Sequence, residues 1–293
     1  MSARLRNLAR ENERIFAEGG YTPGGGGFVP LAEAIATAAD GTRMFGPDPV
    51  PVPREPGEGA AARCTVTGES STQAARRLTA DHATGASQEA DGDRVAVLNF
   101  ASARNPGGGY VNGAQAQEEA LCRASALYPC LLRAPEFYAH HRAVRDPFYS
   151  DRVIHSPGVP VFRDDRGALL DRPYRAGFLT CPAPNAGVIA RTMPERGDEI
   201  GPALDARAER VLEVAVAHGY RRLVLGAWGC GVFRNDPARV AAAFARLLTG
   251  GGRFVDAVDE VVFAVLDRRA DSPTRAAFAA AFAAPPQDAA PAR

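Results

Sequence analysis

Arg94–Glu119 reads RVAVLNFASARNPGGGYVNGAQAQEE, and Arg222–Asn235 reads RLVLGAWGCGVFRN. Each stretch opens on a near-continuous apolar run, as expected of a strand buried on both faces of a sheet. Each then enters a glycine-rich loop and passes into a helix. The first helix begins near Gln117. The second begins at Asp236-Pro237, a capping acid followed by proline at the first turn. Strand, loop and helix in that order, twice over, give an α/β fold with helices on both faces of a mixed, mostly parallel sheet. In such sheets ligands bind beyond the C-terminal ends of the strands. Both glycine-rich loops are therefore expected at one ligand-binding edge.

Working outward, the pattern places a helix over Asn7–Phe16 ending at Gly19-Gly20, and a loop over Tyr21–Pro30. A short helix follows at Leu31–Ala39, then an irregular Pro- and Gly-rich connection over Met44–Gly59. Arg63–Thr67 reads as a strand, and Ser71 caps a helix running to about Asp81. Thr84–Gly92 is a polar linker. Gln117–Leu132 reads as one helix. Arg152–Phe162 is an extended segment broken by Pro157 and Pro160, and Tyr174–Thr180 is a strand. Leu204–His218 is a periodic helix closed by Gly219. Glu260–Leu266 is the last strand, Ser272-Pro273 opens the last helix, and the tail from Ala284 frays. The organisation expected is an N-terminal helical extension over 1–62, a core over 63–284 and a flexible tail over 285–293.

Composition narrows the chemistry. The chain has 293 residues with 34 basic and 34 acidic ones, so bulk attraction to nucleic acid is not indicated. Every basic residue is Arg. A phosphate-loop lysine, Schiff-base chemistry and lysine general bases are thereby excluded. Five cysteines, with no C-x-x-C pair, suggest neither a disulfide framework nor a zinc site, and no metal is expected. No run reaches the roughly 18 apolar residues of a membrane span. The Arg- and Glu-rich start lacks a signal-peptide apolar region, so the expected location is the cytoplasm.

Two carboxylates carry the chemistry. Glu118 and Glu119 fall in the first turn of the helix after the Gly107-Gly108-Gly109 turn. Acidic residues are common there because they favour the helix dipole. Paired carboxylates beside a ligand cleft also perform general acid–base work on acetals. Mutual repulsion lets one of them keep its proton near neutral pH, while the helix N-terminus pulls the other way. The glycine turn aimed at the same helix start favours the catalytic reading. In the second loop, Gly226, Gly229 and Gly231 exceed what a tight strand-to-helix turn needs, and the loop can offer backbone N–H groups to a diphosphate. Trp228 reads as core packing. Arg234 is open to either a phosphate contact or plain solvation. Cys230 is rejected as a nucleophile, since no His lies near it in sequence.

The spacing of Gly107-Gly108-Gly109, seven further residues and Gln117-Glu118-Glu119 resembles the GGG…QEE signature of poly(ADP-ribose) glycohydrolases, compact bacterial type. The resemblance covers roughly Leu5–Phe282. It implies a macrodomain-like sheet with an N-terminal extension, and hydrolysis of ribose–ribose O-glycosidic bonds without a cofactor. By this resemblance Glu119 is the general acid and Glu118 contacts ribose hydroxyls. Asn99, Phe100, Ala101, the Gly107–Gly109 backbone and Gln117 would bind substrate. So would Gly226, Gly229, Cys230, Gly231, Val232 and Phe233, with Phe233 pressing on the terminal ribose. The partners implied are poly(ADP-ribose) or ADP-ribosylated proteins, with ADP-ribose as product and exo-action expected. The alternatives are a non-catalytic ADP-ribose reader and a mono-ADP-ribosyl hydrolase.

Overall fold

The computed structural model describes residues 2–52, 61–80 and 95–283. Arg94, the linker Thr84–Gly92, residues 53–59 of the irregular connection and the tail from Ala284 lie outside them. Helix α1 spans Ala3–Glu18, four residues earlier than the apolar periodicity suggests. Ser2 accepts from Leu5 N–H at its start, and Gly19 (φ 72°) closes it. The expected loop over Tyr21–Pro30 contains two short strands, β1 (Gly20–Tyr21) and β2 (Val29–Pro30), paired antiparallel. Helix α2 (Ala32–Gly41) follows, and then β3 (Arg43–Phe45), which overlaps the start of the connection expected to be irregular from Met44.

Seven strands form the main sheet, in the order β3, β6 (Val153–Arg163), β7 (Leu169–Cys181), β5 (Val95–Phe100), β8 (Arg222–Gly226), β9 (Glu260–Ala264) and β4 (Arg63–Thr67). The pairs β7/β5, β5/β8, β8/β9 and β9/β4 are parallel, while β3/β6 and β6/β7 are antiparallel. Pro157 and Pro160 do not break β6. A register shift between Ser156 and Val159 takes up Pro157, and Pro160 pairs in register with Arg175, so the strand continues through both.

Alternation along β5 divides the core. Val95 and Val97 join one apolar cluster, and Ala96 and Leu98 join the other. The first cluster takes side chains from α1, α2, α3 (Ser71–Ala80), α4 (Gln117–Ala124), α5 (Leu127–Leu131) and α6 (Pro135–Ala143). Past α7 (Ala186–Thr192), the second cluster takes them from α8 (Ile200–Ala217), α9 (Pro237–Leu248) and α10 (Pro273–Ala281). Each fully buried Leu, Val or Phe contributes about 1.5–3 kcal/mol. Helices thus cover both faces of a mostly parallel sheet.

Local details depart from the sequence pattern for identifiable reasons. Ser70, not Ser71, caps α3: its hydroxyl accepts from Gln73 N–H while Gln73 Oε1 accepts from Ser70 N–H, a reciprocal capping box. The single helix expected over Gln117–Leu132 is two, because Ser125 turns to extended backbone and bridges Val161 of β6. Asp236 caps α9 through Ala238 N–H and Ser272 caps α10 through Arg275 N–H, as their sequences imply.

Candidate active site

The sheet opens a crevice at its middle. β5 pairs with β7 as far as Phe100–Cys181, and β8 pairs with β9 as far as Gly226–Ala264. Pairing between β5 and β8 stops earlier, at Val97–Val224. Gln117 fills part of this gap. Its Oε1 accepts from Phe100 N–H at 2.9 Å, and its Nε2 donates to the Leu98 carbonyl at 2.8 Å and to Ser71 Oγ at 3.1 Å. The Gln117 amide therefore serves β5 as a peptide of a neighbouring strand would. That fixes the start of α4 against the strand end.

A cavity of about 1030 Å³ lies over these strand ends. Phe100, Ala101, Gln117, Glu118 and Glu119 line it from one side, and Gly229, Cys230, Gly231, Val232 and Phe233 line it from the other. The two loops expected to share an edge do meet there. Asn99, Gly107, Gly108, Gly109 and Gly226 do not line it.

The carboxylates differ in how they are held. Both oxygens of Glu118 are engaged: Oε2 accepts from Ser102 N–H at 2.7 Å and Oε1 from Asn99 Nδ2 at 3.3 Å. Asn99, fully buried, also donates to Thr180 Oγ1 at 3.1 Å. Burial pushes the Glu118 carboxyl up to about 8, against the pull of the Ser102 and Asn99 hydrogen bonds, with the Glu119 charge adding a smaller upward push. Repulsion between the neighbours, the upward push the sequence suggests, is thus the lesser cause, and burial is the larger one. Glu119 is anchored at Oε1 by Gly109 N–H at 2.8 Å, and its buried Oε2 has no hydrogen-bond partner among the described residues.

Close neighbours explain the glycines of the first loop, and for the middle one they are these carboxylates. Gly108 has φ 58°, and a Cβ there would stand 2.5 Å from Glu119 Oε1 and 3.1 Å from Glu118 Oε2. A Cβ on Gly107 would meet Tyr128, and one on Gly109 would meet Ala114. The turn lies directly on the acids and shapes them, with no ligand needed to account for it. In the second loop, Gly226 is pressed against the Ala264 carbonyl and Gly229 (φ 70°) against Asn235 and Ala183. Gly231 has nothing within 4 Å of its Cβ position, leaving backbone that a ligand can approach.

The family model for the microbial-type PARG catalytic domain matches residues 9–164. A comparison with curated proteins gives no match. Among solved structures, the chain is similar to poly(ADP-ribose) glycohydrolase (PARG) from Thermomonospora curvata, at 49% identity and a TM-score of 0.88, over 96% of this chain and 100% of that one. This chain belongs to the microbial-type PARG family. The T. curvata protein bound to the inhibitor ADP-HPD is 48% identical with a TM-score of 0.84, again over 96% of this chain and 100% of that one. PARG from Deinococcus radiodurans in complex with ADP-ribose is 43% identical with a TM-score of 0.74, over 84% of this chain and 96% of that one.

The PARG cavity has walls that strand and loop reading missed. Arg4, Leu5 and Leu8 of α1 reach it, as do Asp164–Gly167 of the β6–β7 turn and Asp267 and Arg268 after β9. None carries a local signal; each arrives by chain crossing. Arg163 does the joining: buried, it donates to Asn12 Oδ1 at 2.8 Å and to the Gly167 carbonyl at 2.8 Å, while Asn12 Nδ2 donates to the Arg123 carbonyl at 2.9 Å. Tyr149 was missed too. It has φ 60°, and its ring lies 5.9 Å from that of Phe233. Trp228 is core, donating to the Cys181 carbonyl at 3.0 Å. Burial pushes the half-buried Cys230 thiol up to about 12, followed by the Asp236 charge, which leaves it a poor nucleophile. Arg234 does not line the cavity. Among the described residues no cluster of His, Cys, Asp or Glu could hold a metal ion, and no helix is long and apolar enough to cross a membrane.

Proposed function

We propose that this chain hydrolyses the ribose–ribose O-glycosidic bond of poly(ADP-ribose), with Glu119 as general acid and then base. The observation that carries the assignment is the asymmetry of the two acids. Glu118 has both oxygens committed, whereas Glu119 has one oxygen fixed by Gly109 N–H and one, Oε2, unpartnered at a cavity wall. A positioned acid with a free oxygen is what protonation of a leaving ribose requires.

ADP-ribose lies across the cavity, with its diphosphate against the Gly229–Phe233 backbone and its terminal ribose held by Phe233. Glu119 gives its proton to the ribose oxygen as the C–O bond breaks and the anomeric carbon takes on oxocarbenium character. The ionised Glu119 then takes a proton from water, and the hydroxyl adds to that carbon. Glu118, held largely neutral at pH 7, adds little negative charge beside a dianionic substrate and contacts ribose hydroxyls. Asn99 holds Glu118, and Gln117 holds the strand end. Phe100, Ala101, Cys230 and Val232 shape the walls; Gly107–Gly109 and Gly226 let the elements close up.

We read residues 1–62 as an extension on a core of 63–284, and the reaction as exo-acting on polymer attached to proteins in the cytoplasm. The five cysteines, all free, fit a reducing compartment. The raised Glu118 favours a second reading, in which Glu118 is the proton donor. One experiment separates the two: wild type, Glu119→Gln and Glu118→Gln are incubated with poly(ADP-ribose), released ADP-ribose is quantified by chromatography, and ADP-ribose binding is measured by calorimetry. Glu119→Gln is expected to bind ADP-ribose and release none. If it still turns over while Glu118→Gln does not, the roles are exchanged. If wild type binds but releases nothing, the chain is a reader and the enzyme reading fails.

A further inference from the structure

Beside the catalytic cavity lies a second one of about 420 Å³, and the two share Arg104 and Tyr149. Its other walls include Arg145, Val188 and Met193. Arg104 and Arg145 are exposed, and among the described residues neither has an ion-pair partner. Arg142 adds a third positive charge, its Nη1 donating to the Arg104 carbonyl at 2.8 Å. The nearest acid in sequence, Asp146, is already held by Arg196 at 3.4 Å and by Phe148 N–H at 2.8 Å. In a chain of zero net charge, this is a local excess of uncompensated arginine at the mouth of the site.

Its position gives the excess a meaning. Tyr149, held at φ 60°, packs its ring on Phe233 and borders both cavities. Strained backbone of this kind persists where surrounding structure or function holds it. On the reading proposed above, Phe233 marks the terminal ribose, so the bond to be cut leads out of the large cavity at this end. What lies beyond that bond is the next unit of the polymer, which carries its own diphosphate and adenine. Two unpaired guanidiniums match a diphosphate in charge and fork geometry, and Val188 and Met193 offer an adaptable apolar wall to a base.

We propose that the second cavity is a subsite for the polymer unit on the leaving side of the scissile bond, with its diphosphate held by Arg104 and Arg145. It rests on the glycohydrolase reading and adds to it a reason for a polymer to bind better than its terminal unit. Arg145 is the residue to test, because it is exposed and lines only the second cavity.

The experiment uses the full chain, with Arg145→Glu and Arg145→Ala beside wild type. Initial rates of ADP-ribose release from long poly(ADP-ribose) are measured between about 50 and 200 mM salt, and ADP-ribose affinity is measured by calorimetry. Arg145→Glu is expected to lower kcat/KM on polymer by about tenfold, with Arg145→Ala between, as the loss of a charge-assisted contact implies. The salt dependence should become shallower in both, and the Kd for ADP-ribose should stay within about twofold of wild type. An unchanged kcat/KM and salt dependence in Arg145→Glu overturns the subsite. A parallel fall in ADP-ribose affinity also overturns it, since Arg145 would then serve the unit in the large cavity. Failure of wild type to release any ADP-ribose would fell the glycohydrolase reading first and the subsite with it, and would be seen before any variant is compared.

Discussion

Replacing Glu118 with Gln should flatten the pH dependence of stability. In the folded chain burial raises this carboxyl from 4.5 to about 8. That difference in proton affinity is worth roughly 5 kcal/mol. Below about pH 4.5 both folded and unfolded chains hold the proton, and the group contributes no slope. Between about 4.5 and 8 the folded chain keeps a proton that the unfolded chain has lost. Wild-type stability therefore falls with rising pH, by about 1.4 kcal/mol per pH unit from this group. Above about 8 both states are ionised, and the folded one bears the buried charge. Glutamine keeps the shape and an oxygen for Ser102 N–H. Its amide nitrogen would face Asn99, whose Oδ1 has no partner among the described residues. A turn of the Asn99 amide then offers that oxygen to the new N–H, as it would to a protonated Glu118. The assay is urea unfolding of wild type and Glu118→Gln at several pH values from 5 to 8. The two stability curves should meet near pH 5 and diverge by several kcal/mol at pH 8, with the variant the more stable. Parallel curves would refute the argument that burial holds Glu118 neutral.

Two further substitutions test the scaffold. Gly108→Ala places a Cβ at φ 58° against both carboxylates; it should lower stability by about 1–3 kcal/mol and turnover at least about tenfold. Gly107→Ala, equally strained at φ 65° but facing Tyr128, should lose stability with less effect on turnover, and the reverse order would argue against the acids resting on Gly108. Asn12→Ala strands Arg163 Nε in the interior; it should cost about 2–3 kcal/mol and lower Tm by roughly 5 °C or more, read by thermal unfolding. An unchanged Tm would show that α1 is not held by this clamp.

The sequence alone determined the central part of the fold. The apolar runs at Val95–Phe100 and Arg222–Gly226 need burial on both faces, and only a helix-covered parallel sheet supplies it. The caps at Asp236 and Ser272 and the closing Gly19 are local chemistry, and they were legible for that reason. So was the adjacency of Glu118 and Glu119 behind a glycine turn. Tertiary structure decided the rest. The break at Ser125 is set by a bridge to Val161, which no neighbour in sequence announces. The reason for Gly108, the two carboxylates of helix α4 against it, lies ten residues further along the chain. Which acid has a free oxygen, and which is pushed to about 8, depends on Ser102, Asn99 and Gly109 N–H groups and on the depth of burial. Arg4 and Tyr149 reach the site from segments with no motif. Hydrophobic period and capping act over a few residues, so sequence displays them. Electrostatics and cavity walls depend on distance through space, and that distance exists only once the chain has folded.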